Sequence, residues 1–263
     1  MKKILDYIKN WFSFVLGNGH QTIEIVETPT EPAPEKENNN GETEQNNSEI
    51  NNSEMEHKII VLIDNGHASS TPGKRSPKED GKKQFFEYEF NRDIAKRLAE
   101  KLDELKIKYE ILVPEVDVDV PLSERAARAN AFCKEYGTDN CLFISIHSNA
   151  AGNGTQWMNA RGWCCYTSKG ETASDSYAEI FMRKAIDILT PLNQKVRKYS
   201  AKKYSWEENY TVLVKTICPA ILTENMFYDN KQDLEFLETE EGKEAIVQIH
   251  IDSILEIEKS LGN

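Results

Sequence analysis

KIIVLIDNGH, residues 58–67, is the stretch that decides the fold. Ile59, Ile60, Val61, Leu62 and Ile63 run without a polar interruption and are mostly β-branched, and a polar turn, Asp64-Asn65-Gly66-His67, follows at once. An unbroken apolar run, unlike an alternating one, predicts a strand buried on both faces, the kind found in parallel sheets covered by helices. Two later runs end the same way: CLFISI stops at His147 and PAILT stops at Glu224. Open α/β sheets assemble ligand sites just beyond the carboxyl ends of their strands, so three polar residues delivered in this manner suggest convergence.

Outward from that strand, the chain from Lys58 alternates strand and helix, and no internal repeat is found. A polar loop with Pro72, Gly73, Pro77 and Gly81 leads to a helix in which Phe90, Ile94, Leu98 and Leu102 recur at spacing four. KYEILV reads as a strand, and PLSERAARANAFCKEYG as a helix with Ser123 placed to cap it. The GWCCYT segment is a further strand and SYAEIFMRKAIDIL a helix, while Val247, Ile251, Ile254 and Leu255 mark the stripe of a closing helix. The expected architecture is a single three-layer α/β domain over residues 58–263, with a mostly parallel, twisted sheet and helices on both faces.

Two segments precede it. Residues 1–18 read as an amphipathic helix, with Ile4, Leu5, Ile8, Trp11, Phe12, Val15 and Leu16 at helical spacing. Asp6 and Lys9 interrupt it as a secretion signal, and it is too short to span a bilayer. Two readings stand for it: a weak interfacial membrane anchor or partner-binding helix, or a helix docked on its own protein or frayed. Residues 19–57 are rich in Glu, Asn, Pro and Ser and predict a disordered acidic linker. Residues 1–57 hold four lysines and eleven acidic residues, so net −7 of the chain's −12 lies there. His20 and His57 fall in or beside this tail and are left out of any site.

An acidic chain argues against a nucleic-acid surface, which needs clustered Lys and Arg to displace counterions. The five cysteines are odd in number and lack CxxC spacing, which predicts reduced thiols in or near the core. Free thiols fit synthesis in a reducing compartment. The chain is read as a monomer.

The residues that could carry chemistry divide by how demanding their surroundings are. In the Asn65-Gly66 turn, glycine lets the backbone swing His67 off the strand axis, though His67 taken alone reads more readily as a surface turn residue. His147 closes a buried strand and needs either a hydrogen-bond partner or a metal. Glu87 stands where the loop gives way to the helix, while Glu89 would point about 200° away on that helix. Glu224 ends an apolar strand, where an ionised carboxylate is costly unless paired, metal-bound or poised as a base. Two imidazoles and one carboxylate on zinc leave a fourth position for water, the open arrangement of a catalytic site. A second carboxylate could then move the water proton to a leaving amine, which is amide-hydrolysis machinery. No spacing so far names the amide.

Five segments do. VLIDNGH (61–67), EYEFNRDIAKRL (87–98), PLSERAARAN (121–130), SIHSNA (145–150) and PAILTENMFYDNKQD (219–233) resemble the zinc-dependent N-acetylmuramoyl-L-alanine amidases of the amidase-3 type. The resemblance covers about residues 58–260. It implies that His67, Glu87 and His147 bind Zn2+ and that Glu224 is the catalytic carboxylate, with Asn91, four positions on, marking Glu87 rather than Glu89. It also implies peptidoglycan as substrate, cut between the lactyl group of N-acetylmuramic acid and L-alanine.

The chain departs from the family at three places. Ala68-Ser69-Ser70-Thr71-Pro72-Gly73 stands where glycines and an Asp-Pro-Gly turn are usual, and Asn225-Met226-Phe227 where a Gly usually precedes the aromatic residue. No long acidic insertion follows His147, so an uncovered site shaped by the loop from Gly152 to Trp163 is expected. Trp157, Trp163, Tyr204 and Trp206 are left out of the site, since aromatic residues in such loops often only pack. A zinc peptidase or deacylase, or a non-catalytic wall-binding module, would share most of these features. A lysin made in the cytoplasm and released at lysis, and a host remodelling enzyme tethered by residues 1–18, are the two contexts that fit.

Overall fold

The computed structural model describes residues 57–261; the expected helix over 1–18 and the linker, His57 apart, lie outside the described residues. Glu56–Asn263 form one compact unit. Its frame is a six-stranded sheet in the order β2-β1-β3-β6-β4-β5. The strands are β1 (Ile60–Asn65), β2 (Lys108–Ile111), β3 (Cys141–Asn149), β4 (Cys164–Thr167), β5 (Trp206–Glu207) and β6 (Ala220–Phe227).

β1 is buried along its whole length, as its unbroken apolar run predicts, whereas β2 at the sheet edge alternates between exposed and half-buried residues. β1 pairs in parallel with β2 and β3, and β3 in parallel with β6. The expectation of a mostly parallel sheet holds with one exception: β4 runs antiparallel to β6. Residues 150–163 between β3 and β4 contain no helix, and an antiparallel neighbour needs no helical crossover. A short apolar run such as CCYT carries no mark of direction.

On one face pack α1 (Glu87–Glu104), α3 (Ala173–Leu189) and the long α6 (Glu240–Leu261); on the other lie α2 (Leu122–Tyr136) and the short α4 (Thr211–Lys215). α5 (Lys231–Leu237) follows β6. Phe90, Ile94, Leu98 and Leu102 form the buried stripe of α1 as expected. In α6 the buried stripe takes in Ile246, Ile249 and Ile257, and Leu255 is only half-buried. Ser123 is not a cap: α2 begins after Pro121, whose fixed φ presets the first turn. Caps form elsewhere: Thr172 and Asp175 make a reciprocal pair opening α3, and the Asn230 side chain accepts the Gln232 and Asp233 amides at the start of α5. All five cysteines are free and buried, in agreement with the reduced-thiol reading.

Candidate active site

β1, β3 and β6 lie side by side, so their carboxyl ends bring distant parts of the chain together. His147 is the Cα partner of Glu224 across the β3–β6 ladder, and residues opposite one another on paired strands project from the same face. His67 follows the end of β1, and the Gly66 amide donates to the Ile146 carbonyl at 3.1 Å, tying that turn to β3. The residue in the left-handed backbone region is His67 itself, at φ 66°. This corrects the reason given for Gly66. Its backbone takes an ordinary φ, and what it supplies is space, because a Cβ there would overlap the His147 ring.

Glu87 opens α1, where an anionic side chain is favoured by the helix dipole. Its Oε1 lies 3.0 Å from His147 Nδ1 and 3.3 Å from His67 Nε2, and it accepts the Ser148 amide at 3.2 Å. The two imidazoles meet edge to face with centroids 4.8 Å apart. One ligand atom from each of His67, Glu87 and His147 lies within 4.8 Å of the others, the spacing of a group that could hold a metal ion. Glu89, by contrast, is an exposed partner of Lys83.

The electrostatics separate the two carboxylates. Burial would raise the Glu87 carboxyl, but hydrogen bonds to His147 and His67 outweigh it and hold Glu87 far below the usual range. Burial pushes the Glu224 carboxyl up to about 7, with the Glu87 charge adding and the His147 charge opposing. Burial also lowers His67, favouring the neutral imidazole that can donate a lone pair, whereas at His147 burial is outweighed by Glu87 and the pKa rises. Glu87 Oε2 and Glu224 Oε2 are both buried without a hydrogen-bond partner. An orphaned carboxylate oxygen is costly in a folded protein, and two in one cleft mark a place where something else binds.

Around this group runs a supporting shell that the sequence reading did not assign. Asn91 donates to the Gly66 carbonyl at 3.1 Å and so holds the turn that carries His67. Arg125, on α2, is buried and pairs with Asp64 at 2.7 Å, and Ser145 donates to the other oxygen of Asp64 at 2.6 Å. That pair locks the ends of β1 and β3 to α2. Arg125, Ala129 and Cys133 are buried at spacing four, so an arginine on the apolar stripe of PLSERAARANAFC was the signal available for it.

Behind β6 lies a hydrogen-bond chain whose directions are all determined. His250 donates through Nδ1 to the Ile246 carbonyl at 2.7 Å, so its Nε2 accepts from Thr223 at 3.1 Å. Asn225 gives one amide hydrogen to Thr223 Oγ1 and the other to the His147 carbonyl at 2.9 Å, and its Oδ1 accepts from Trp163 at 2.7 Å. Next to it Met226 is fully buried at φ 66°, a left-handed conformation that favours glycine.

The site opens into a cleft of about 890 Å³, and the His67 and His147 side chains are each 17% exposed to it. Of the loop expected to shape it, only Gly152 and Asn153 reach the lining; Trp163 is wholly buried. None of Trp157, Tyr204 and Trp206 lines the cleft, while Tyr210 and Tyr228 do.

The description of the N-acetylmuramoyl-L-alanine amidase family, Amidase_3, matches residues 61–256, nearly the whole of the described sheet and its helices. The chain belongs to this amidase family. Among curated relatives, the endolysin of Bacillus phage SPP1 is 27% identical over 203 residues, spanning 75% of this chain and 65% of the endolysin. The amidase CwlM of Bacillus licheniformis is 28% identical over 197 residues, 74% of this chain and 67% of that protein. The chain thus spans about two thirds of the length of the curated relatives it matches. In fold it is similar to the catalytic domain of the amidase CwlV from Bacillus (Paenibacillus) polymyxa var. colistinus, with TM-score 0.60, 22% identity and coverage of 75% and 97% of the two chains. The N-acetylmuramoyl-L-alanine amidase of Clostridium difficile 630 gives TM-score 0.60 and 24% identity, covering 75% of this chain and 95% of that one. These likenesses show that the α/β fold is shared with those amidases.

Proposed function

We propose that the protein is a zinc-dependent N-acetylmuramoyl-L-alanine amidase that hydrolyses the amide between the lactyl group of N-acetylmuramic acid and L-alanine in peptidoglycan. The observation that carries this reading is the convergence of His67, Glu87 and His147 beside a second, unpartnered carboxylate at Glu224. The donor set fits zinc: two imidazole nitrogens and one carboxylate, with Glu87 Oε2 buried and free to bind. A zinc ion held by these three residues would supply Lewis acidity, lowering the pKa of water toward about 7 and polarising the substrate carbonyl.

The chain's own residues do the rest. Glu224, whose carboxyl sits near neutrality, takes a proton from the attacking water as oxygen adds to the lactyl carbonyl carbon. As the C–N bond breaks, the same carboxyl returns that proton to the alanine nitrogen, and the products are a lactyl carboxylic acid and a free amine, which at neutral pH stand as carboxylate and ammonium. Asn225 holds the strand of His147 through its carbonyl, and Asn91 fixes the turn of His67, so both imidazoles are oriented by polar contacts behind them.

Residues 58–263 are proposed to carry this reaction. Purified cell walls treated with the protein should release peptides bearing a new N-terminal alanine and no new reducing sugar ends. Chelation should stop the release and zinc restore it. Cleavage within the stem peptide, with muramoyl-alanine intact, would instead establish a zinc peptidase.

A further inference from the structure

Six charged side chains line the cleft: Asp64, Lys74, Glu87, Asp119, Arg125 and Glu224. Only two are basic, and one of those is engaged, since Arg125 is bound to Asp64 at 2.7 Å and to Asp119 at 3.2 Å. Lys74 is left. Among the described residues its ammonium has no hydrogen bond or ion pair, although four carboxylates share the cleft with it.

Its place is fixed by the backbone. The Lys74 carbonyl accepts the amide of Glu87 at 3.0 Å, so the lysine rides on the residue that anchors the metal group. Arg75 donates to the Gly73 carbonyl at 2.8 Å and forms a bridge with Phe86, which holds the segment on both sides of Lys74. Upstream, Thr71 accepts the Ala68 amide at 2.9 Å and donates to Asp119 at 2.7 Å. Lys74 lines the same cleft as His67 and Glu224, and its positive charge acts to lower the pKa of both. A half-buried lysine that makes no ion pair among the described residues is free to pair with a ligand anion.

The chemistry of the substrate says which anion. On the acyl side of the scissile amide stand neutral N-acetylated sugars; the carboxylates are carried on the peptide side. We propose that Lys74 forms a carboxylate-binding subsite on the peptide side of the cut, so that the protein favours stem peptides with a free carboxylate beside the alanine over those in which it is amidated. This rests on the amidase reading above.

A lysine acting only through the field at Glu224 or His67 would change the rate on every substrate alike, so the informative quantity is a ratio. Two soluble muramoyl-peptides would be compared, identical except for a carboxylate or a carboxamide on the residue following L-alanine. The wild type should prefer the carboxylate in kcat/KM by roughly tenfold, mostly through KM. K74Q should bring the ratio close to one and K74R should keep it. A ratio near one in the wild type, or an undiminished preference in K74Q, would overturn the subsite. Titration calorimetry of the two released peptides on wild type and K74Q separates this from the amidase reading: if neither substrate is cut but K74Q alone loses the preference in affinity, the subsite stands and the reaction assignment falls.

Discussion

The His147 imidazole occupies the space that a side chain on Gly66 would fill. A Cβ built on Gly66 would lie 2.6 Å from Nδ1 of that ring and closer still to two other ring atoms. The glycine and the histidine come from neighbouring strands, and the first lets the second stand upright beside Glu87. Gly66→Ala should therefore turn the ring away, weakening metal binding 10- to 100-fold, the range for supporting residues of metal sites, at an overpacking cost of about 1–3 kcal/mol. Zinc titration alongside thermal melting checks both, and a variant that binds zinc like the wild type would contradict the steric role.

Glu224→Gln keeps the shape of the side chain and removes its ability to accept a proton. Activity on cell walls should drop by about 10²- to 10⁴-fold while zinc content stays at the wild-type level. If the variant retained near wild-type turnover with metal bound, Glu224 would not be the proton carrier.

Arg125→Met leaves Asp64 buried without its counter-charge. Removing one member of a buried pair costs about 3–5 kcal/mol, whereas removing both charges is far milder, so Arg125→Met with Asp64→Asn should be the more stable of the two variants. Urea denaturation of both proteins gives the comparison. Equal loss in single and double variants would mean that packing of the guanidinium, and not charge, is what matters.

Acid sensitivity should trace to His250. Burial lowers its pKa from 6.5 to about 4 in the folded chain, with the bond to Ile246 opposing. Above pH 6.5 the imidazole is neutral in both states and its contribution is flat. Between pH 6.5 and about 4 the unfolded chain takes up a proton that the folded chain refuses, so stability falls as pH falls, by about 3 kcal/mol over the window. The stability difference between pH 7 and pH 5 should be smaller in His250→Gln than in the wild type by about 2 kcal/mol. An identical difference in the two proteins would remove His250 from the account.

What the sequence made legible follows from where the information is local. Unbroken apolar runs announced β1, β3 and β6 because burial on both faces leaves no room for alternation, and His67, His147 and Glu224 each stand at the end of one. Glu87 was readable only through Asn91 and a family likeness, since a helix start alone does not say which carboxylate turns inward. The direction of β4 was not legible, because antiparallel pairing depends on which neighbour the strand meets and not on its own residues. Nor was the fit of Gly66 against His147, a contact between residues 81 positions apart that only the assembled sheet creates. Lys74 escaped notice for a different reason: its meaning lies in the partner it lacks.

One consequence of the strand order concerns the timing of synthesis. β6 is the strand through which the β2-β1-β3 half of the sheet and the β4-β5 half share hydrogen bonds, and it is also the last strand in the chain. While the ribosome has delivered only the residues before Ala220, the strand that the two halves share has not been made, and neither has Glu224. Residues 220–227 pair with β3 on one side and β4 on the other, and set Glu224 opposite His147. A chain ended before Ala220 therefore lacks both the strand that joins the two halves of the sheet and the Glu224 carboxylate.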